Sequence, residues 1–173
     1  MNNETEPNLP DWKLTLAERL PLFGHRNWIV VADSAYPAQS SPGIETIVAP
    51  TSQIEVVQAV AQAISASWHV KALVHLDSEL ALVEVSDAPG VDEYWRQLQS
   101  VLSGAHLDRI PHEEIIAMLD HSAKLFRILI IKTQMTIPYT SVFFELDCRY
   151  WTAAAEQKLR EAMRSHDQVD SAS

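Results

Sequence analysis

Glycine and cysteine are the scarcest informative residues in this 173-residue chain, 4 and 1 respectively, and each scarcity excludes a chemistry. Gly-rich phosphate loops and dinucleotide fingerprints need glycine where backbone N–H groups approach phosphate, so nucleotide chemistry is not expected. A single cysteine, Cys148, permits no intramolecular disulfide and points to a reducing compartment, the cytoplasm. Beside Arg149, it reads as structural rather than nucleophilic. No serine stands in a nucleophile-elbow sequence. Basic residues are also few: 13 Lys and Arg against 23 Asp and Glu give a formal charge of -10, which repels nucleic acid and anionic membranes alike. No apolar run is long enough to span a bilayer, and the opening "MNNETEPNLPDWK" has neither a basic nor an apolar targeting segment. Repeats and low-complexity tracts are absent too.

What is present suits one globular domain. With 47% hydrophobic residues the chain can bury a substantial core, and its length makes two domains unnecessary. Residues 1–12, with Pro7 and Pro10, read as a flexible leader, and 166–173, "HDQVDSAS", as a frayed tail. Leu14, Leu16, Ala17, Leu20 and Leu22 suggest a short helix broken near Pro21 and ended by Gly24, before a strand over 28–33. A Ser/Pro loop at 34–43 leads to "TSQIEVVQAVAQAISASW", where Ser52 and Glu55 have capping-box spacing. "VKALVHL" and "LALVEV" read as strands and "GVDEYWRQLQSVLSG" as a helix closed by Gly104. A helix from Pro111, strands in "FRILIIKTQMT" and "TSVFFELDC", and a helix over 151–165 complete the chain. This alternation predicts an α/β domain of three layers with a mostly parallel central sheet and an antiparallel final pair.

The candidate chemistry lies in "GHRNWIVVADSAYP", residues 24–37, where His25 precedes an apolar strand and Asp33 follows it. At the carboxyl end of a strand in an open α/β sheet, side chains project into the crevice where ligands bind, which is where Asp33 belongs. Imidazole titrates near pH ~6.5, so a histidine with a carboxylate or phenol partner exchanges protons at cellular pH. His112 after Pro111, His121 on the same helix, and Tyr139 and Ser141 in "TIPYTSV" are the other candidates.

These blocks resemble the D-ribose pyranase and L-fucose mutarotase family. "GHRNWIVVADSAYP" resembles its opening of GH, any residue, D, an apolar strand and D; "IPHEEI" resembles its PHEEF helix start, and "TIPYTSVFFEL" its final TPYANIIL strand, together covering residues 13–147 in order. The resemblance implies an α/β fold, no cofactor, and a homo-oligomer, ring-like and as large as a decamer, with sites between subunits. It also implies interconversion of sugar anomers or of pyranose and furanose rings. Carried over motif by motif, His25 is the main acid/base, Asp33 orients it or holds sugar hydroxyls, and His112 and Tyr139 supply further proton-transfer or hydrogen-bonding groups. Asn27, Lys132 and Ser141 fall at substrate-binding positions. The domain itself spans 13–150, with a helix added beyond it.

Several positions depart from the family pattern. Asn27 replaces an aspartate, Ser141 replaces an asparagine, and the family's RTGE turn is "KTQM", Lys132–Met135. Each candidate also has a structural use: His25 in a turn, Asp33 as an Asx-turn, His112 in an exposed first helical turn, and Tyr139 in packing. Trp28, Trp68, Trp95 and Trp151 are expected in the core or in subunit contacts rather than stacked on a sugar. His25, Asp33, His69, His75, Asp77, His112 and His121 include no close paired-ligand motif, so no metal is expected. Three functions follow: a cofactor-free sugar mutarotase or pyranase, a non-catalytic carbohydrate-binding or assembly protein of the same fold, and a metal-assisted hydrolase. The expected partners are a monosaccharide and further copies of the chain, with no nucleic acid and no membrane.

Overall fold

The computed structural model describes residues 11–170. The leader expected over 1–12 falls outside the described residues as far as residue 10, and so do residues 171–173 of the tail. Asp11 caps α1 (Trp12–Arg19), its side chain accepting from the N–H groups of Lys13 and Leu14. A 3₁₀ turn over Leu20–Leu22 breaks the helix at Pro21, and β1 (Trp28–Ala32) follows. β2 (Ile44–Val48) comes next, then α2 (Gln53–Ala66), where Ser52 caps by accepting from the Glu55 N–H. β3 (Val70–Asp77), α3 (Val91–Val101), β4 (Leu107–Ile110), α4 (His112–Ser122), β5 (Ile128–Lys132), β6 (Val142–Cys148) and α5 (Ala153–Asp170) complete the order.

The six strands form one sheet in the order β2-β5-β1-β6-β3-β4. β6 runs antiparallel to both neighbours, β1 and β3, while the other pairings are parallel. Five strands therefore end on one rim, where β6 begins. Alternation along the strands divides the core in two: Ile29, Val31, Leu129, Ile131 and Phe144 pack under α1, α2 and α3, and Trp28, Val30, Ile128, Ile130 and Phe143 pack under α4. The domain is thus a three-layer α/β fold. Gly43 allows the approach to β2, since a Cβ there would lie 2.3 Å from the Ala123 carbonyl oxygen.

The α4 layer is incomplete. Helix α4 covers the β1 side, and the far ends of β3 and β6 present Lys71, Leu73, Glu145 and Asp147, all partly exposed. His75 is buried among them, its Nε2 3.0 Å from Glu145 and its ring 5.4 Å from that of Trp28.

Five expectations change. The last two strands do not pair: β6 lies antiparallel between β1 and β3, and β5 lies on the other side of β1. "LALVEV" is no strand: Ser78–Leu82 form a 3₁₀ helix; Leu80 is buried and Val83 packs on the core while Leu82 and Val85 are exposed. Strands β2 and β4 are additions, both on sheet edges. The last helix continues to Asp170, beyond the expected 165. Among the tryptophans, Trp28 is core but Trp68 is 80% exposed.

Candidate functional site

The rim where the five parallel strands end gathers most of the candidates. Asp33, directly after β1, forms an Asx-turn in which Oδ1 accepts from the Ala35 N–H at 2.9 Å, and its Oδ2 accepts from Ser141 Oγ at 3.3 Å. His112 opens α4, and its ring meets that of Tyr139 edge-on, centroids 5.7 Å apart at 80°. Tyr139 holds φ 58°, an uncommon conformation for a residue with a Cβ, which presents its ring at the rim. Asp33, His112 and Tyr139, together with Tyr36, Ile137 and Pro138, line a cleft of about 410 Å³. Lys132 ends β5 on the same rim, half-buried.

Carboxylates and amides missed in the sequence support this cleft. His112 Nδ1 is 3.0 Å from Asp77 Oδ1, and the Asp77 side chain is 1% exposed. Burial pushes the Asp77 carboxyl up, against the hydrogen bond and charge of His112. Both carboxylate oxygens of Glu79 stand 3.1 Å from the His112 backbone N–H; burial pushes this carboxyl up, and the N–H groups outweigh it and hold it low. Tyr36 is buried against Asp77, Asp120 and Asp33, which raises its phenol, desolvation most of all. Behind the cleft, Gln53 donates to Tyr94 Oη and to the Thr140 carbonyl, and its Oε1 accepts from Thr133 Oγ1 at 2.9 Å. Tyr94 also donates to the Thr140 carbonyl, at 2.6 Å. This network fixes the loop carrying Tyr139.

His25 is elsewhere. Strand β1 has five residues, and at ~3.3 Å per residue it keeps the two rims on the order of 13 Å apart. A proton-transfer group has to come within about 3 Å of its target. The expected orientation of His25 by Asp33 is therefore excluded within one chain; the His25 partner is Asp147, at 2.9 Å from Nδ1. Burial pushes Asp147 up, but the Cys148 N–H, Lys71 and His25 hold it below its ordinary value. Asn27 lies on this far rim as well. Its Oδ1 accepts from the Gly24 N–H at 2.7 Å and its Nδ2 donates to the Arg127 carbonyl at 3.0 Å, so both ends of the amide are committed to backbone. His25, Asp147, Tyr150, Trp151, Glu156 and Arg160 line a second cleft there.

The other candidates are dispersed. His69 bonds the Phe23 carbonyl oxygen at 2.9 Å, and His121 is exposed on α4. Among the described residues, no group of three or more His, Cys, Asp or Glu side chains is arranged to hold a metal ion. No helix among them is long and apolar enough to cross a membrane. The sequence signal for Asp77 resembled that for Asp33, an acid closing an apolar strand, but "HLD" offered it only as a weak metal ligand.

Comparison with known proteins gives these two rims a context. The profile of the RbsD / FucU transport protein family matches residues 13–148. Among curated proteins none matches the chain. The fold is similar to that of Bacillus subtilis RbsD complexed with D-ribose, with a TM-score of 0.54 at 20% identity, covering 77% of this chain and 91% of that one. It is also similar to the Streptococcus pneumoniae fucose mutarotase in complex with L-fucose, with a TM-score of 0.52 at 19% identity over 80% and 91% of the two chains. FucU from Bifidobacterium longum gives a TM-score of 0.51 at 15% identity, over 77% and 92%.

Proposed function

The chain belongs to the RbsD / FucU transport protein family, and from that premise we propose that it is a cofactor-free mutarotase or pyranase of a monosaccharide, opening and reclosing the sugar ring by general acid/base catalysis. In ring opening, the anomeric hydroxyl loses its proton, the bond from the anomeric carbon to the ring oxygen breaks, and the ring oxygen gains a proton. Closure reverses these transfers on either face. No electrons are exchanged, and positioned acids and bases suffice.

The observation that carries this reading is the convergence of Asp33, His112 and Tyr139 on one cleft, with buried Ser141 bonded to Asp33. His112 Nε2 and the Tyr139 phenol are the proton carriers of this scheme. Asp33 has carboxylate lone pairs left for sugar hydroxyls, and Lys132, which ends β5 on the same rim, is assigned as a further hydroxyl contact.

His25 enters from a second copy. Its rim adjoins the uncovered ends of β3 and β6, where Lys71, Leu73, Glu145 and Asp147 provide a face for that copy. The working form is thus a homo-oligomer, and the single free cysteine suits a reducing cytoplasm. Saturation-transfer NMR of anomeric protons over a panel including D-ribose and L-fucose tests the activity. Exchange faster than in buffer for at least one sugar is the expected result. Sedimentation at micromolar concentration showing only monomer overturns the shared site.

A second reading, a carbohydrate-binding protein without turnover, is favoured by one observation: Asn27, at the family's aspartate position, is bonded to backbone at both ends of its amide. Sugar binding by calorimetry with no exchange above buffer selects it.

A further inference from the structure

The acid/base scheme above leaves unused a carboxylate that lies directly beneath the cleft. Asp77 is the last residue of β3, its side chain is 1% exposed, and its Oδ1 lies 3.0 Å from His112 Nδ1. Glu79 grips the His112 N–H with both oxygens at 3.1 Å, fixing where the chain enters α4. The Tyr139 ring closes the imidazole from the side. Among the described residues the second Asp77 oxygen, Oδ2, has no hydrogen-bond partner. Burying a carboxylate to pair with a histidine seldom contributes net stability compared with an apolar residue of similar size. Packing therefore does not account for Asp77.

The geometry points to Asp77 as the positioning residue of this site: its Oδ1 holds the proton of His112 on Nδ1 and so presents Nε2 to the sugar as a bare, basic nitrogen. The inference rests on the acid/base role proposed for His112. In the cycle Nε2 takes the proton of the anomeric hydroxyl, the ring becomes an imidazolium with a proton on each nitrogen, and Asp77 stabilises that charge without receiving a proton. Nε2 then releases its proton to a sugar oxygen, and the starting tautomer returns. The opposite arrangement is chemically distinct. A protonated Asp77, which burial favours, donates its O–H to Nδ1, leaves the ring proton on Nε2, and makes His112 a hydrogen-bond donor to the sugar.

The two arrangements differ in which nitrogen carries the proton, and long-range ¹H–¹⁵N correlation of the labelled full chain reads this directly, with His112→Gln identifying the signals. At neutral pH the wild type is expected to show a protonated Nδ1 and a bare Nε2 for His112. In Asp77→Asn the amide can present either its oxygen or its NH₂ to Nδ1, so a mixture of tautomers is expected. The kcat of exchange should fall about 10-fold or more with KM unchanged, as for other orienting carboxylates. A wild-type His112 protonated at Nε2, or an Asp77→Asn protein keeping both tautomer and kcat, overturns the proposal. If Asp77→Asn does not fold, the wild-type spectrum decides alone. Failure of the enzymatic reading is distinguishable: no sugar then exchanges, while the ¹⁵N pattern still shows whether Asp77 sets the tautomer.

Discussion

Ser141 Oγ donates to Asp33 Oδ2 at 3.3 Å, tying the residue before β6 to the residue after β1 across an antiparallel pair. With the Ala35 N–H on the other oxygen, the carboxylate is held from two sides. Hydrogen bonds to a charged group contribute about 1.5–3 kcal/mol. Asp33→Asn is accordingly expected to lower kcat/KM by roughly 10- to 100-fold if Asp33 grips a sugar hydroxyl, and Ser141→Ala, which only loosens the carboxylate, by a smaller factor. Steady-state exchange rates compare them. Equal loss in both, or none, contradicts this division of labour.

His25 is more than half exposed, and its pair with Asp147 is at the surface. Such pairs contribute little to stability, so His25→Ala should leave the melting temperature unchanged while slowing exchange about 100-fold or more. Mixing His25→Ala with Asp33→Asn chains after partial dissociation provides the stricter check. Copies that share sites regain activity, because some clefts then receive an intact Asp33 from one chain and an intact His25 from another. Absence of complementation argues for sites built within one chain.

Restoring the family's aspartate at position 27 should not improve the protein. Asn27→Asp keeps the acceptor for Gly24 but turns the donor to the Arg127 carbonyl into a second acceptor. The facing oxygens then repel, at a cost of about 1–3 kcal/mol. Thermal denaturation should show a lower midpoint with no gain in exchange rate.

Gln53 is 1% exposed and serves Thr133, Tyr94 and Thr140 together. Gln53→Leu leaves these groups with fewer partners in the interior, a loss of about 1–3 kcal/mol per unsatisfied group. Because the same network holds the loop of Tyr139, the variant should lose exchange activity while still folded. Tm and kcat measured on one sample separate the two effects.

Legibility in the sequence followed burial. β1 and β5 are buried almost throughout and appear as apolar runs, as does the start of β6; Ser52 caps α2 at the spacing expected, although the Glu55 carboxylate turns to Thr51 and Lys13 instead of back to Ser52. β2 and β4 close the two edges of the sheet, where half-exposed residues leave no hydrophobic signal. "LALVEV" erred the other way, apolar without being a strand: Leu80 is buried but Leu82 and Val85 are exposed, because the chain has to turn after Asp77 to bring Glu79 beneath α4. In the cleft, strand-end position singled out Asp33, and the PHEEF- and TPYANIIL-like blocks singled out His112 and Tyr139. Gln53 and Asp77 were obscured because their partners are 87 and 35 residues away in the chain, distances that no local pattern spans. His25 and Asp33 are close in sequence and remote in space, since the strand between them is fully extended.

In the shared-site assembly proposed above, the length of β1 also governs how copies combine. A chain that keeps an imidazole at one end of its sheet and a receiving cleft at the other has a head and a tail. Two copies set antiparallel serve each other's clefts at once, whereas a head-to-tail series either closes on itself or goes on growing. An open series always leaves its last cleft unserved, and a closed one leaves none. Under the shared site proposed above, the angle between successive copies therefore decides what fraction of clefts would turn over sugar, although no residue setting that angle need touch the sugar.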